Sequence, residues 1–233
     1  MKEFNQILFV IASFFLMAFV ILTDKPILNL KAKAVTGEVT TEAFYKPTPE
    51  IQLIFEKLKA QLGSKGADAS LWVSTTTTIN AYADWQDRVV LQYGLLKFNN
   101  QNGHNLGQLA GIIAHELGHI YYGHPKGHYD YGKTAEYTRN AERQADNIAV
   151  KFLADAGYDC HGGADFLKTI VIAFGPSTGN GEDHPGDIER IFDINRTCDI
   201  YLQTGDLMPP RQEAIEYRVP VVVNDHNWEN ESN

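Results

Sequence analysis

The stretch from Ile7 to Leu22 is an almost unbroken apolar run, preceded by Lys2 and followed by Asp24 and Lys25. A segment that is hydrophobic on every side has no face to turn to water, which excludes it from a domain surface. It falls slightly short of the ~20 residues that comfortably span a bilayer. Two readings stay open. A cleaved export signal needs small residues beyond the apolar run, and Ala32-Lys33-Ala34 offers an A-x-A pattern unusually far downstream. An uncleaved anchor needs only the run itself. Lys25, Lys31 and Lys33 complicate its orientation, because positive residues prefer the cytoplasmic side. The run predicts a chain exported into the cell envelope or anchored in a membrane through residues 7–22, with its folded part outside the cytoplasm, as in a periplasm.

A chain of 233 residues holds one ordinary domain plus appendages. The net charge of −9 is spread thinly and no Lys/Arg-rich block occurs, which argues against nucleic acid as a partner. Cys160 and Cys198 have neither Cys-x-x-Cys spacing nor the density of a disulfide scaffold. They either form one bridge in an oxidising compartment or stay as small buried apolar residues.

After the signal or anchor at 1–22, residues 23–48 mix Lys, Thr, Ala and Pro without periodicity and are expected to be a linker. The domain is expected over 49–203, followed by a C-terminal extension with a polar tail over 204–233. Ile51, Ile54, Phe55, Leu58 and Leu62 recur at helical spacing, with Gly63 as a stop. Strands are expected at Leu71–Ser74, Ile79–Ala83 and Val89–Tyr93, the last two joined as a hairpin through the polar residues 84–88. Further helices are predicted after Gly103, from about Thr134 to Ala156, from Gly163 to Phe174, and from Pro185 as a first helical residue. A short strand is expected near Val221. The fold class is α+β, mostly helical, with a small antiparallel sheet beside the helix after Gly103.

That helix carries His115-Glu116-Leu117-Gly118-His119. Histidines four apart project from one helix face about a turn apart, as two ligands of a tetrahedral Zn²⁺ must. Glu116, one step round, can reach a water activated by that metal, take its proton and pass it to a leaving amine. The bare H-E-x-x-H pattern also arises by chance, and its apolar flanks Ile112, Ile113 and Ala114 favour a buried site helix. A catalytic zinc needs a third protein ligand. Glu142 is the candidate, with Asp146 at i+4 on the same face to accept a hydrogen bond from the far nitrogen of a ligand histidine. Ala141, Ala145 and Ala149 allow the close helix packing this requires. Taken alone, Glu142 and Asp146 would be solvated helix residues.

Together these stretches resemble the gluzincin metallopeptidase family that includes the CAAX prenyl proteases, HtpX and the periplasmic quality-control peptidases. Asn80-Ala81-Tyr82-Ala83 is similar to its N-A-[FY]-A strand, and Tyr93-Gly94-Leu95-Leu96 to the turn before its catalytic helix. Ala114–His119 matches its zinc motif. Glu142–Asp146 matches E-x-x-A-D, followed by Ala156-Gly157-Tyr158-Asp159. His184-Pro185 with Arg190-Ile191 resembles its late H-P-x-x-x-R-I element. The likeness covers about residues 50–200. It implies a zincin-type domain with one Zn²⁺ per chain held by His115, His119 and Glu142, Glu116 as base and Asp146 behind the ligands. The short segment between His119 and Glu142, without further hydrophobic spans, favours a compact form over a multi-spanning one.

The resemblance also brings His184 toward the metal, where it either donates to the tetrahedral oxyanion or occupies the open zinc position. Arg190 either anchors that loop or supports oxyanion charge. The alternative, left open by cap logic, is a turn histidine with no catalytic task. His124, His128, His161 and His226 follow no ligand spacing, and Pro125 and Gly127 break the helix that would align His124 with His128. An edge strand at Asn80, Ala81, Tyr82 and Ala83 would align an extended polypeptide substrate by main-chain hydrogen bonds, with loose sequence preference. The leading expectation is a zinc endopeptidase cutting unfolded, misfolded or membrane-associated envelope proteins. The competing ones are a non-catalytic assembly or chaperone-like factor with a stabilising zinc, and a zincin hydrolase acting on a small substrate.

Overall fold

The computed structural model describes residues 42–125, 134–177 and 185–210. Four strands form one sheet: β1 (Phe44–Tyr45), β2 (Ser70–Ser74), β3 (Ala81–Ala83) and β4 (Arg88–Gln92), in the order β1-β2-β4-β3. β3 and β4 are the expected hairpin, antiparallel with Tyr82 opposite Val90. Its turn is built by Asp84, whose carboxylate accepts from Gln86 N and Arg88 N and pairs with the Arg88 guanidinium. β2 and β4, however, run parallel, with Leu71 opposite Val89 and Val73 opposite Leu91. The sheet is therefore mixed, not antiparallel. Leu71, Val73, Val89, Val90 and Leu91 are all buried, and such continuous apolar strands belong at the centre of a sheet. β4 takes that place by inserting between β2 and β3. β1, in the stretch expected to be linker, closes the other edge antiparallel to β2.

α1 (Pro49–Lys59) starts at Thr48, whose hydroxyl caps Ile51 N, and buries Ile51, Ile54, Phe55 and Leu58. A 3-10 segment (Ala60–Gly66) follows and bends at Gly63, whose φ is 57°. α2 (Tyr93–Gln101) leaves β4 directly, where the sequence had suggested a strand end and a turn. Gly94 is the reason the chain can coil there: a Cβ would stand 2.0 Å from Thr77 O. Leu95 and Phe98 are the buried apolar side chains of α2, with Leu96 partly buried beside them, too little for a periodicity signal.

α3 (Leu106–Tyr122) is the central element. Asn105 caps its start by accepting from Gln108 N, and Leu109, Ile113 and Leu117 are buried. α4 (Ala135–Asp155) is capped by Thr134 and packs along α3, as do α5 (Gly162–Phe174) and β3. Two glycines of α3 set these approaches. A Cβ on Gly111 would stand 2.3 Å from Gly163 N on α5, and one on Gly118 would stand 2.8 Å from Ala145 O on α4. α6 (Asp187–Thr204) packs on α4 and α5. It begins two residues after Pro185, because Gly186 is extended (ψ 143°) and serves as the cap. The carboxylate of Asp187 then accepts from Ser177 N. Cys160 and Cys198 are bridged, with Cα atoms 5.6 Å apart, tying the turn before α5 to α6. Among the described residues, no helix is long and apolar enough to cross a membrane. The apolar run 7–22, the strand expected near Val221 and the polar tail lie outside the described residues.

Candidate metal centre

His115 and His119 leave α3 on one face, and their Nε2 atoms are 3.1 Å apart. α4 brings Glu142 against both: Oε2 is 3.3 Å from His115 Nε2 and Oε1 is 3.2 Å from His119 Nε2. Ligand bonds of 2.0–2.1 Å in a tetrahedron imply ligand-to-ligand edges of about 3.3 Å. The three groups thus stand where a tetrahedral zinc would hold them, and their two-nitrogen, one-carboxylate chemistry suits that ion. Gly118 permits this, since the absent side chain lets α4 approach α3 at Ala145, one turn beyond Glu142.

Behind the ligands lies a second layer. Asp146 Oδ1 is 2.8 Å from His115 Nδ1, so the nitrogen turned away from the metal position has a carboxylate partner. Arg190, arriving on α6, donates to both oxygens of Asp146, from Nε and Nη2, at 2.8 Å each. Arg190 is thereby committed to Asp146, and its Nη2 is also 3.8 Å from Glu142. Burial disfavours a charge on Asp146, but Arg190 and His115 outweigh it and hold the carboxyl well below the usual carboxylate range. Burial likewise opposes a charge on His115, yet Asp146 and Glu142 push its pKa up to about 10. A metal entering between these groups must therefore displace a proton.

Glu116 is buried and lines a cavity of about 530 Å³ together with His115, His119 and Glu142. Residues 79–84 form another part of the wall, so Asn80, Ala81, Tyr82 and Ala83 line the same cavity as the ligands. Asn80 O accepts from Gln92 N, and Asp84 N donates to Arg88 O. By alternation, Tyr82 also bonds toward β4, and the main-chain groups of Ala81 and Ala83 point away from β4, where no further strand pairs among the described residues.

One neighbour of the centre escaped the sequence reading. His124 stands with Nδ1 3.0 Å from His119 Nδ1, and its Nε2 is 3.0 Å from Gln144 Oε1 on α4. Gly123, in the left-handed region at φ 73°, ends α3 and folds the chain back, so that His124 N donates to His119 O and Gly123 N to Ile120 O. That double bond pattern brings a residue five beyond the second histidine beneath it. Helical spacing is blind to such a contact; the Gly-His pair at the helix end was the available signal. Burial and the adjacent His119 push His124 down to about 4, so it is neutral at pH 7. His161 lies far along the chain in a separate cluster with Asp159 and Asp199, beside the disulfide. His184, like His128 and His226, lies outside the described residues.

No curated protein matches the chain. The family model of Peptidase family M48 matches residues 45–128, from β1 through the catalytic-helix histidines. That match makes this part of the chain similar to the M48 metallopeptidases; Glu142 lies beyond the matched residues and completes the candidate metal site through the packing of α4.

Proposed function

We propose that this chain is a zinc-dependent endopeptidase of the compact quality-control type, cutting unfolded, misfolded or membrane-associated proteins of the cell envelope. The observation that carries this reading is the convergence of His115, His119 and Glu142 at tetrahedral-edge distances, on the wall of a cavity that also holds Glu116 and β3. Zinc, when bound, supplies Lewis acidity that lowers the pKa of water toward 7 and polarises a carbonyl. Glu116, adjacent to a ligand on the same helix, takes the water's proton and delivers it to the departing amine. Ala81 and Ala83 offer outward main-chain groups to an extended chain, which recognises backbone and not sequence. Unfolded polypeptides are the substrates that present such backbone freely. The apolar run 7–22 and the Cys160–Cys198 bridge both suit an exported protein. The segment between His119 and Glu142 carries no apolar run of spanning length, which favours the compact form over a multi-spanning one.

Glu116 separates this reading from a non-catalytic factor with a stabilising zinc, since a structural site needs no base beside its ligands. The test compares wild type with Glu116→Gln for zinc content and for digestion of unfolded casein. One zinc per chain in both, with proteolysis reduced at least ~100-fold in the variant, is the expected result. Equal proteolysis in both would overturn the proposal.

A further inference from the structure

His124 is fixed from four directions. The turn at Gly123 ties its backbone N–H to His119 O. The Tyr122 ring stacks on its imidazole, with centroids 5.5 Å apart and planes 17° from parallel. Nδ1 faces His119 Nδ1, and Nε2 faces Gln144 Oε1. None of this is demanded by packing alone, because the position is partly buried and lies just beyond the helix end.

The order of donors decides what the arrangement does. A neutral imidazole has one N–H and one bare nitrogen. With a carbonyl oxygen at Nε2, the His124 proton sits on Nε2, and Nδ1 is left as an acceptor. His119 then donates from its own Nδ1, and its Nε2 lone pair faces Glu142 and His115. A reversed Gln144 amide would send each proton the other way and place one on His119 Nε2, where it would block a metal.

We infer that His124 and Gln144 are positioning residues that select the metal-binding tautomer of His119 and fix its ring. The inference rests on the zinc-binding reading above. It makes the two ligand histidines unequal. His115 is backed by a charged carboxylate–guanidinium pair, whereas His119 is backed by an uncharged imidazole–amide relay. A carboxylate partner raises ligand basicity, while a neutral acceptor orients the ring with less effect on its basicity.

The test measures zinc affinity of the full chain by chelator competition. His124→Phe keeps a ring for Tyr122 but removes the acceptor, and is expected to bind zinc roughly 10–100-fold more weakly. His124→Asn places an oxygen near the lost Nδ1 and is expected to restore affinity to within roughly threefold of wild type. Gln144→Glu, an acceptor only, should hold the affinity, whereas Gln144→Met should lower it. Adding Gln144→Met to His124→Phe should cost nothing further, because the relay is already broken. In the zinc-loaded protein, nitrogen NMR of labelled histidine should find the His124 proton on Nε2. Wild-type affinity in His124→Phe, or a proton on His124 Nδ1 in the loaded protein, overturns the inference. Should His124→Phe not fold, equal affinities in Gln144→Glu and Gln144→Met overturn it instead. If wild type itself bound no zinc, the metal reading would fall and not merely the relay.

Discussion

Gly118 is the residue of the H-E-x-x-H segment with no chemistry of its own, and Gly118→Ala is the sharpest test of how the centre is assembled. The new methyl would stand 2.8 Å from Ala145 O, 2.9 Å from Ile148 Cγ2 and 3.0 Å from Ala145 Cα. Reaching an ordinary contact of about 3.5 Å requires α4 to retreat by roughly half an ångström or more. Glu142 sits one turn before Ala145 on the same helix and recedes with it. Zinc ligand distances tolerate only ~0.2 Å, so the variant should bind zinc at least ~10-fold more weakly. Stability moves less. Overpacking costs about 1–3 kcal/mol, and the better helix propensity of Ala offsets about 1 kcal/mol of that. Gly107→Ala, whose Cβ would meet only Asn105 Oδ1 at 3.3 Å, is the control on the same helix. The assay pairs chelator competition with thermal unfolding of the metal-free protein. A Gly118→Ala protein with wild-type zinc affinity and a raised Tm would show that helix propensity alone governs the site, and would refute the close-approach argument.

Asp146→Asn removes the carboxylate that Arg190 grips with two hydrogen bonds and leaves it the longer 3.8 Å contact to Glu142, which should cost about 3 kcal/mol in denaturant unfolding while weakening zinc binding. Reducing the Cys160–Cys198 bridge frees a loop of sequence separation 38, worth about 4 kcal/mol in the chain-entropy account; an unchanged urea midpoint would contradict it. His161 contributes a pH dependence. Burial works against its charge, but Asp159 and Asp199 raise its pKa above the unfolded value. Its stabilisation is complete below about pH 6.5 and is lost as pH rises through the folded pKa. Asp159, lowered by the His161 backbone N–H and then by its ring, behaves oppositely and loses its stabilisation on acidification. The Tm of His161→Gln should therefore fall less than that of wild type between about pH 6.5 and 8, by a modest margin because the ring is partly solvated.

Local chemistry was legible and long-range geometry was not. His115 and His119 are one helical turn apart wherever the helix goes, and Glu142 and Asp146 share a face for the same reason. Thr48, Thr134, Gly63 and Gly157 mark element ends through their own caps and dihedrals. The parallel pairing of β2 with β4 depends instead on where β3 is placed, which no period-two pattern encodes. α2 was hidden because Gly94 answers to Thr77, a contact from another segment. The pairing of Arg190 with Asp146 joins residues 44 apart, and only the docking of α6 on α4 reveals which of its possible tasks the guanidinium takes up. His124 was missed because its position follows from the turn at Gly123, after the helical rule stops applying.

The brevity of β3 has a consequence for how firmly the protein holds a chain. Its outward side exposes the main-chain groups of only two residues, Ala81 and Ala83. Four hydrogen bonds at a net 0.5–1.5 kcal/mol each give roughly 2–6 kcal/mol, before the cost of ordering the peptide is subtracted. Taken alone, these main-chain bonds correspond to a dissociation constant no tighter than tens of micromolar, and weaker once ordering is counted. Such a grip lets go quickly. On the function proposed above, a short residence time would let one site sample many unfolded chains without being trapped by any one of them.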